Sequence, residues 1–275
     1  MPTFDTPGSV ELQIRLPAGH VALSTTDEPT TRIDLIPKGR RGDEAIEQIQ
    51  IDAQERPGGH LISIERRDRI RWGPISIDWG EGDIEVRVSC PHGTDLEFNG
   101  ASADLSASGR YGKVAAKTAS GDLSLGDVAG KLQVKTASGD VSVQTIEAEA
   151  NVVTVSGEVE IDAIEADLTA RTVSGDVAIG RVRAPLTLST TSGDVAIKTV
   201  EGGEVQVQSV SGDSRIGVAP GTGVWMDASS LSGALRSELS TVDDAPADSE
   251  GEIVPLRVKS VSGDVSFVRA AARAE

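Results

Sequence analysis

The chain of 275 residues has a single cysteine, Cys90, so no internal disulfide holds it together. Aromatic residues make up only 3% of it, too few for a compact globule built on large rings, or for the stacking platforms that sugar-cleaving enzymes use. Basic residues are outnumbered, 26 Lys and Arg against 43 Asp and Glu, which leaves a net charge of −17. That balance excludes a nucleic-acid binder, which needs a basic footprint for phosphate, and it disfavours docking on an anionic membrane. No run approaches the roughly eighteen consecutive apolar residues of a membrane-spanning helix. The opening MPTFDTPGSVELQIRL lacks a basic segment followed by an apolar core, so it does not read as a signal peptide, and the expected compartment is the cytoplasm.

Catalytic groups are equally scarce. Nucleophilic catalysis needs a base beside the nucleophile. The three histidines, His20, His60 and His92, sit in turn-like sequence, and no G-x-S-x-G elbow is present. Cys90 follows an alternating strand pattern and reads as a small strand-end side chain. No catalytic residue, no cofactor and no metal are expected, and the chain reads as a non-enzyme.

What the sequence does have is a repeat. Ser-Gly pairs begin at Ser120, Ser138, Ser156, Ser174 and Ser192, always 18 residues apart, and then at Ser211, Ser232 and Ser262. Two residues before each serine stands a hydroxyl, from Thr118 and Thr136 through to Ser230 and Ser260. Two residues after most of them stands an acid, broken by Ala234. Apolar pairs follow in register, such as Leu123/Leu125, Val141/Val143 and Val177/Ile179, with a second set at Leu132/Val134 and Leu186/Leu188. Alternation of period two puts both members of a pair on one face, so each pair is a short strand. Two strands and their turns make one coil, and stacked coils bury continuous apolar columns. The expected fold is therefore all-β, a parallel β-solenoid with 18-residue coils, right-handed β-helix-like. Apolar residues do not recur every six positions, which argues against a hexapeptide left-handed helix.

Gly121, Gly139, Gly157, Gly175, Gly193, Gly212, Gly233 and Gly263 are the expected structural corners, where glycine adopts positive φ without a Cβ penalty. The hydroxyl column is expected to stack as a ladder. Residues 1–100 read as an irregular β-rich region that caps the solenoid of 101–270, with one short helix near 43–50, the whole forming a single continuous domain. The acidic stretch 240–252 is expected to be a mobile loop thrown out of one coil, and 271–275 a frayed tail.

At this point the residues resemble a known family. The phased (S/T)-x-S-G-D repeats, preceded by PTFDTPGSVELQIRLPAGHVAL and VRVSCPHGTDLEF, are similar to the bacterial "putative adhesin" family, a domain of unknown function described as β-strand repeat-containing. The form of the N-terminus resembles its actinobacterial, signal-less members. The resemblance covers roughly residues 4–270 and implies a parallel β-helix-like fold with no established reaction.

Two polar features carry functional expectations. Asp122, Asp140, Asp176, Asp194 and Asp213 form an acidic column that would offer calcium several hard oxygens. Against this, one acid per coil supplies few ligands, and each acid is expected to satisfy its own corner. Arg66, Arg67, Arg69 and Arg71 lie beside Trp72 and Trp79, forming the one basic cluster of an acidic chain. Arg and Trp are favoured interface anchors, so the cluster reads as a docking patch for a protein partner, or else as a charged edge against sheet-to-sheet aggregation. The functional expectation is a cytoplasmic, monomeric, non-enzymatic scaffold or interaction module with an unknown protein partner. The alternatives are bactofilin-like end-to-end self-assembly, and a surface adhesin exported by an unrecognised route.

Overall fold

The computed structural model describes residues 2–38, 42–66, 83–239 and 253–270, and most of them lie in β-strands. The fold is an all-β parallel β-solenoid with 18-residue coils. The chain falls into two compact units, Met1–Gly139 and Asp140–Glu275.

In the second unit every described strand pairing is parallel. One row of strands runs Ala150–Thr154, Leu168–Ser174, Leu186–Ser192 and Val205–Ser211. Its partner row runs Val141–Ile146, Val159–Ile164, Val177–Val182, Val195–Val200 and Ser214–Val218. The predicted apolar pairs stack as predicted: Leu168 is opposite Leu186 and then Val205, and Ile161 is opposite Ile179 and then Ile197. These side chains are buried, and each contributes roughly 1.5–3 kcal/mol through removal from water.

The last coils do not stack in chain order. Strand Val254–Ser262 pairs on one side with Val205–Ser211 and on the other with Val224–Ser232. Likewise Val265–Arg269 lies between Ser214–Val218 and Leu235–Ser237. The serine column therefore runs Ser192, Ser211, Ser262, Ser232. Across the 30-residue step from Ser232 to Ser262 the chain therefore returns to an inner place in the stack. Burial follows this order: Val254, Leu256 and Val258 are buried at inner positions, whereas Val224, Met226 and Ala228 are only half-buried in the outer coil. The acidic stretch 240–252 and the tail 271–275 lie outside the described residues.

The first unit repeats this out-of-order device. Strand Ser9–Thr26 runs through two sheet rows, and both halves pair with the later strand Asp95–Tyr111. On its other side it pairs with Gly59–Arg66 and Asp83–Pro91. The columns are again apolar: Ile62, Leu12, Leu96, Val114 and Leu132 are in register, as are Ile64, Ile14, Phe98, Ala116 and Val134. Phe98 is accommodated opposite the small Ala116. This region also contains antiparallel pairs, Ile49–Arg56 on Gly59–Arg66 and Thr30–Lys38 on Asp83–Pro91. The helix expected over 43–50 is a single turn, Gly42–Ile46, because Ile49 and Ile51 alternate and join the strand Ile49–Arg56.

Candidate functional site

The organised polar surface of the protein is the set of corners, and it has two forms. In the first unit the corner reads T-A-S-G-D. The strand ends before the hydroxyl at Val114–Lys117 and on it at Leu132–Thr136, and Thr118 and Thr136 accept a hydrogen bond through Oγ1 from the N–H of Gly121 and Gly139, each at 3.0 Å. In the second unit it reads T-V-S-G-D/E or close to it. There the strands Leu168–Ser174, Leu186–Ser192, Val205–Ser211 and Val254–Ser262 continue through the serine, while Ala150–Thr154 ends at its hydroxyl with a single bridge at Ser156, and the hydroxyl donates within its own corner: Thr154 to Ser156 O, Thr190 to Ser192 O and Ser209 to Ser211 O, each at 3.3 Å. The hydroxyls therefore bond local backbone rather than one another, which corrects the expected hydroxyl ladder.

The corner glycines follow the same division except at Gly233. Gly157, Gly175, Gly193, Gly212 and Gly263 have φ of 132°, 135°, 130°, 116° and 138°, the region expected for them. Gly121, Gly139 and Gly233 do not lie in that region. They are required for a different reason: a Cβ would come within 1.9 Å of Ala103 O at Gly121, 1.9 Å of Gly121 O at Gly139, and 2.0 Å of Gly263 O at Gly233. Close stacking of coils, not positive φ, fixes glycine at these three.

The acidic column has a structural task in each unit. Asp104 Oδ1 accepts the backbone N–H of Asp122 at 3.0 Å. In the second unit Asp140 accepts from Glu158, Asp176 from Asp194, Asp194 from Asp213, Asp213 from Asp264, and Asp264 from Ala234, all at 2.8 Å. Each carboxylate thus ties one coil to the next, and the break at Ala234 falls where it needs only to donate. Among the described residues no group of three or more His, Cys, Asp or Glu is placed to hold a metal ion.

Other candidates are dispersed. Arg66 donates through Nε to Gln48 Oε1 at 3.0 Å, while Arg67, Arg69, Arg71, Trp72 and Trp79 lie outside the described residues. Cys90 is buried in a strand, and burial pushes its thiol pKa up, so it is held as the unreactive thiol. Tyr111 is likewise buried and pushed up, chiefly by burial, and its hydroxyl donates to Ser108 O. His92 Nδ1 is 2.7 Å from Thr25 Oγ1, and Nε2 is 3.6 Å from Asp27. The Thr25 hydroxyl also accepts the Arg110 N–H at 3.0 Å, and Asp27 is fully exposed, so the trio orders a corner and forms no shielded nucleophile. Glu85 is nearly buried between Lys38 and Arg87, whose hydrogen bonds hold its carboxyl below the usual range.

One feature escapes a search for polar motifs. The residue between the hydroxyl and the serine points outward, and in the second unit it is large and apolar at every corner but Thr191. Val155, Val173, Val210, Val261 and Leu231 are 51%, 49%, 48%, 47% and 85% exposed. The signal is legible in the chain as the change from T-A-S-G to T-V-S-G, but only the structure shows that this position faces solvent.

Stacked parallel coils, corner carboxylates spent on backbone amides and outward columns of regular spacing define a β-solenoid of the repeat-scaffold class. The family model for Toastrack DUF4097 matches residues 10–267, so the chain belongs to that family. A comparison with curated proteins found no match. Among solved structures, a putative adhesin from Bacteroides fragilis is similar at 12% identity and a TM-score of 0.46, covering 97% of this chain and 95% of its own. A putative adhesin from Parabacteroides distasonis is similar at 12% identity and 0.41, covering 96% and 95%. A putative cell adhesion protein from Clostridium sporogenes is similar at 10% identity and 0.29, covering 95% and 93%. At such distances they carry no information on partner or activity. No helix among the described residues is long and apolar enough to cross a membrane.

Proposed function

We propose that the chain is a non-enzymatic binding scaffold that presents regular side-chain columns to a protein partner. The observation that carries this reading is the fate of its polar groups: the acidic column, six of the eight corner hydroxyls and the Thr25–His92 pair are engaged in holding coils or corners together. What remains for recognition is the outward surface of the coils, whose columns repeat at about 4.8 Å. Cross-linking in the source cells, with the linked peptides identified by mass spectrometry, tests the reading. The expected result is one recurrent protein partner linked to outward-facing columns. Absence of any recurrent partner, together with turnover of a small molecule by the purified chain, would sink it.

A second reading, self-association, is favoured by one observation. In the coil Val224–Ser232 the inner positions Val224, Met226 and Ala228 are only half-buried, and among the described residues no strand pairs with its outer edge. Light scattering after size exclusion decides it. A mass of 28.6 kDa at all concentrations removes self-association, and growth in mass with concentration establishes it.

A further inference from the structure

In the second unit the bridges Ser156–Ser174, Ser174–Ser192, Ser192–Ser211, Ser211–Ser262 and Ser262–Ser232 place the preceding residues in one column. That column reads Val155, Val173, Thr191, Val210, Val261, Leu231, and every member is exposed. Most of the large apolar side chains that the described residues expose are in it. A stripe of exposed apolar side chains, broken only by Thr191, marks an interaction site rather than scatter. Its acidic flank is fixed: Glu158, Asp176, Asp194 and Asp213 are exposed, and the three aspartates are held in place by an Oδ1 bond to the next coil's amide. The opposite flank carries Arg171, Ser189, Gln208 and Lys259.

Spacing selects the shape of the occupant. Successive coils are about 4.8 Å apart. A β-strand laid along the stripe repeats its facing side chains every ~6.8 Å and loses register within two coils. An α-helix returns a side chain to one face about every 5.4 Å and stays within about 3 Å of register over five coil steps. Those five steps span about 24 Å, the length of a helix of about 16 residues.

We infer that the column Val155–Val173–Thr191–Val210–Val261–Leu231 docks an amphipathic α-helix of a protein partner, with the basic side of that helix facing the acidic flank. This rests on the scaffold reading and deepens it by naming the surface and the chemistry of its partner. The apolar column supplies the contact area, and the stacked carboxylates supply direction, since reversing the helix's basic side would set it against Arg171 and Lys259.

The test uses the full chain and two synthetic peptides of about 18 residues, measured by fluorescence anisotropy. One carries Leu at i, i+3, i+4 and i+7 positions with Lys along one side, and the other is a scramble of equal composition. Two variant proteins accompany them. The first is Val155→Thr, Val173→Thr, Val210→Thr and Val261→Thr, in which Thr191 shows that threonine fits the column. The second is Asp176→Asn, Asp194→Asn and Asp213→Asn, which keeps each Oδ1 acceptor and removes its charge. Ordered peptide should bind the unaltered chain about tenfold more tightly than the scramble, and the threonine protein should lose about that factor. The asparagine protein should bind more weakly and with a flatter dependence on salt. Equal binding of the two peptides, no binding of either, or unchanged binding by the threonine protein overturns the inference. So does concentration-dependent growth in mass of the chain alone that the threonine protein lacks, since the stripe would then be covered by a second copy. Cellular cross-links to one partner on other columns would overturn the helix site while leaving the scaffold reading intact.

Discussion

The corners of the first unit and those of the second are written almost identically, T-A-S-G-D and T-V-S-G-D, yet they fold differently. With alanine the chain bends at the hydroxyl, and the glycine N–H is capped by Thr Oγ1. With valine at 173, 210 and 261 the strand runs on to the serine, and Gly175, Gly212 and Gly263 take up the turn at positive φ. The difference accompanies one side chain. A β-branched residue is stiff at χ1 and favours extended backbone, so it carries the strand one step further, whereas alanine tolerates the bend. The same substitution turns a small outward group into a half-exposed apolar one. Local conformation and surface chemistry therefore change together at a single position of the repeat.

The comparison is sharpened most strongly at glycine. Gly193→Ala meets Gly175 O at 2.2 Å and also forces positive φ on a residue with a Cβ. Gly121→Ala meets Ala103 O at 1.9 Å but carries no positive-φ strain. Both are expected to destabilise by more than about 2 kcal/mol through a backbone clash, with Gly193→Ala worse by about 1–2 kcal/mol, the strain of the left-handed region. Denaturant midpoints measure the pair. Equal losses would show that the two corners do not differ in the way described.

The acidic column is the feature the two corners share, so it should respond alike in both. Asp194→Ala removes the acceptor of the Asp213 N–H, and Asp104→Ala that of the Asp122 N–H. Each is expected to cost about 1 kcal/mol, while Asp194→Asn restores the bond and most of the stability. Amide hydrogen exchange at Asp213 and Asp122 reads the loss directly. Unequal loss would mean that the carboxylates do different work in the two units.

Much of this was legible in the chain. The 18-residue period gave the coil, and the apolar pairs gave columns that stack as expected, because period-two alternation leaves a strand one way to face a core. Corner glycine was legible as a requirement but not in its cause, since Gly121 and Gly175 look alike until the backbone of the neighbouring coil is in place. Stacking order was hidden. Nothing local in VPLRVKSVS says that it belongs between Val205–Ser211 and Val224–Ser232, because pairing along a column depends on which face is left open and not on sequence distance. The aspartates were read as corner residues, and so they are, but their acceptor role reaches the next coil rather than their own.

A smaller effect separates the units by pH. Lys38 and Arg87 hold the Glu85 carboxyl below its ordinary range in the first unit. A carboxyl depressed in the folded state adds stability above its unfolded pKa, near 4.3, and that stability is lost as pH falls through the lower folded value. Glu85→Gln should therefore lower stability at neutral pH and flatten its fall below about pH 4, while leaving the exchange protection of the second unit's amides unchanged. An unaltered acid limb in the variant would remove Glu85 from the account.

The smallest expected effect distinguishes the two consequences of the alanine-to-valine change. Val173 is half-exposed, so Val173→Thr, which keeps the β-branch, should alter stability by less than about 0.5 kcal/mol. Val173→Ala removes the branch and should cost slightly more, though still under about 1 kcal/mol, because the flanking coils pair Thr172 with Thr190 and Ser174 with Ser192 and hold the corner extended. If valine were present only to straighten the strand, alanine would shift the corner toward the bent form and Gly175 would leave positive φ, which a crystal structure of the variant would show. If the corner stays extended in both variants, the apolar side chain contributes little to the fold, and the reason for a half-exposed valine at this position lies on the surface it presents.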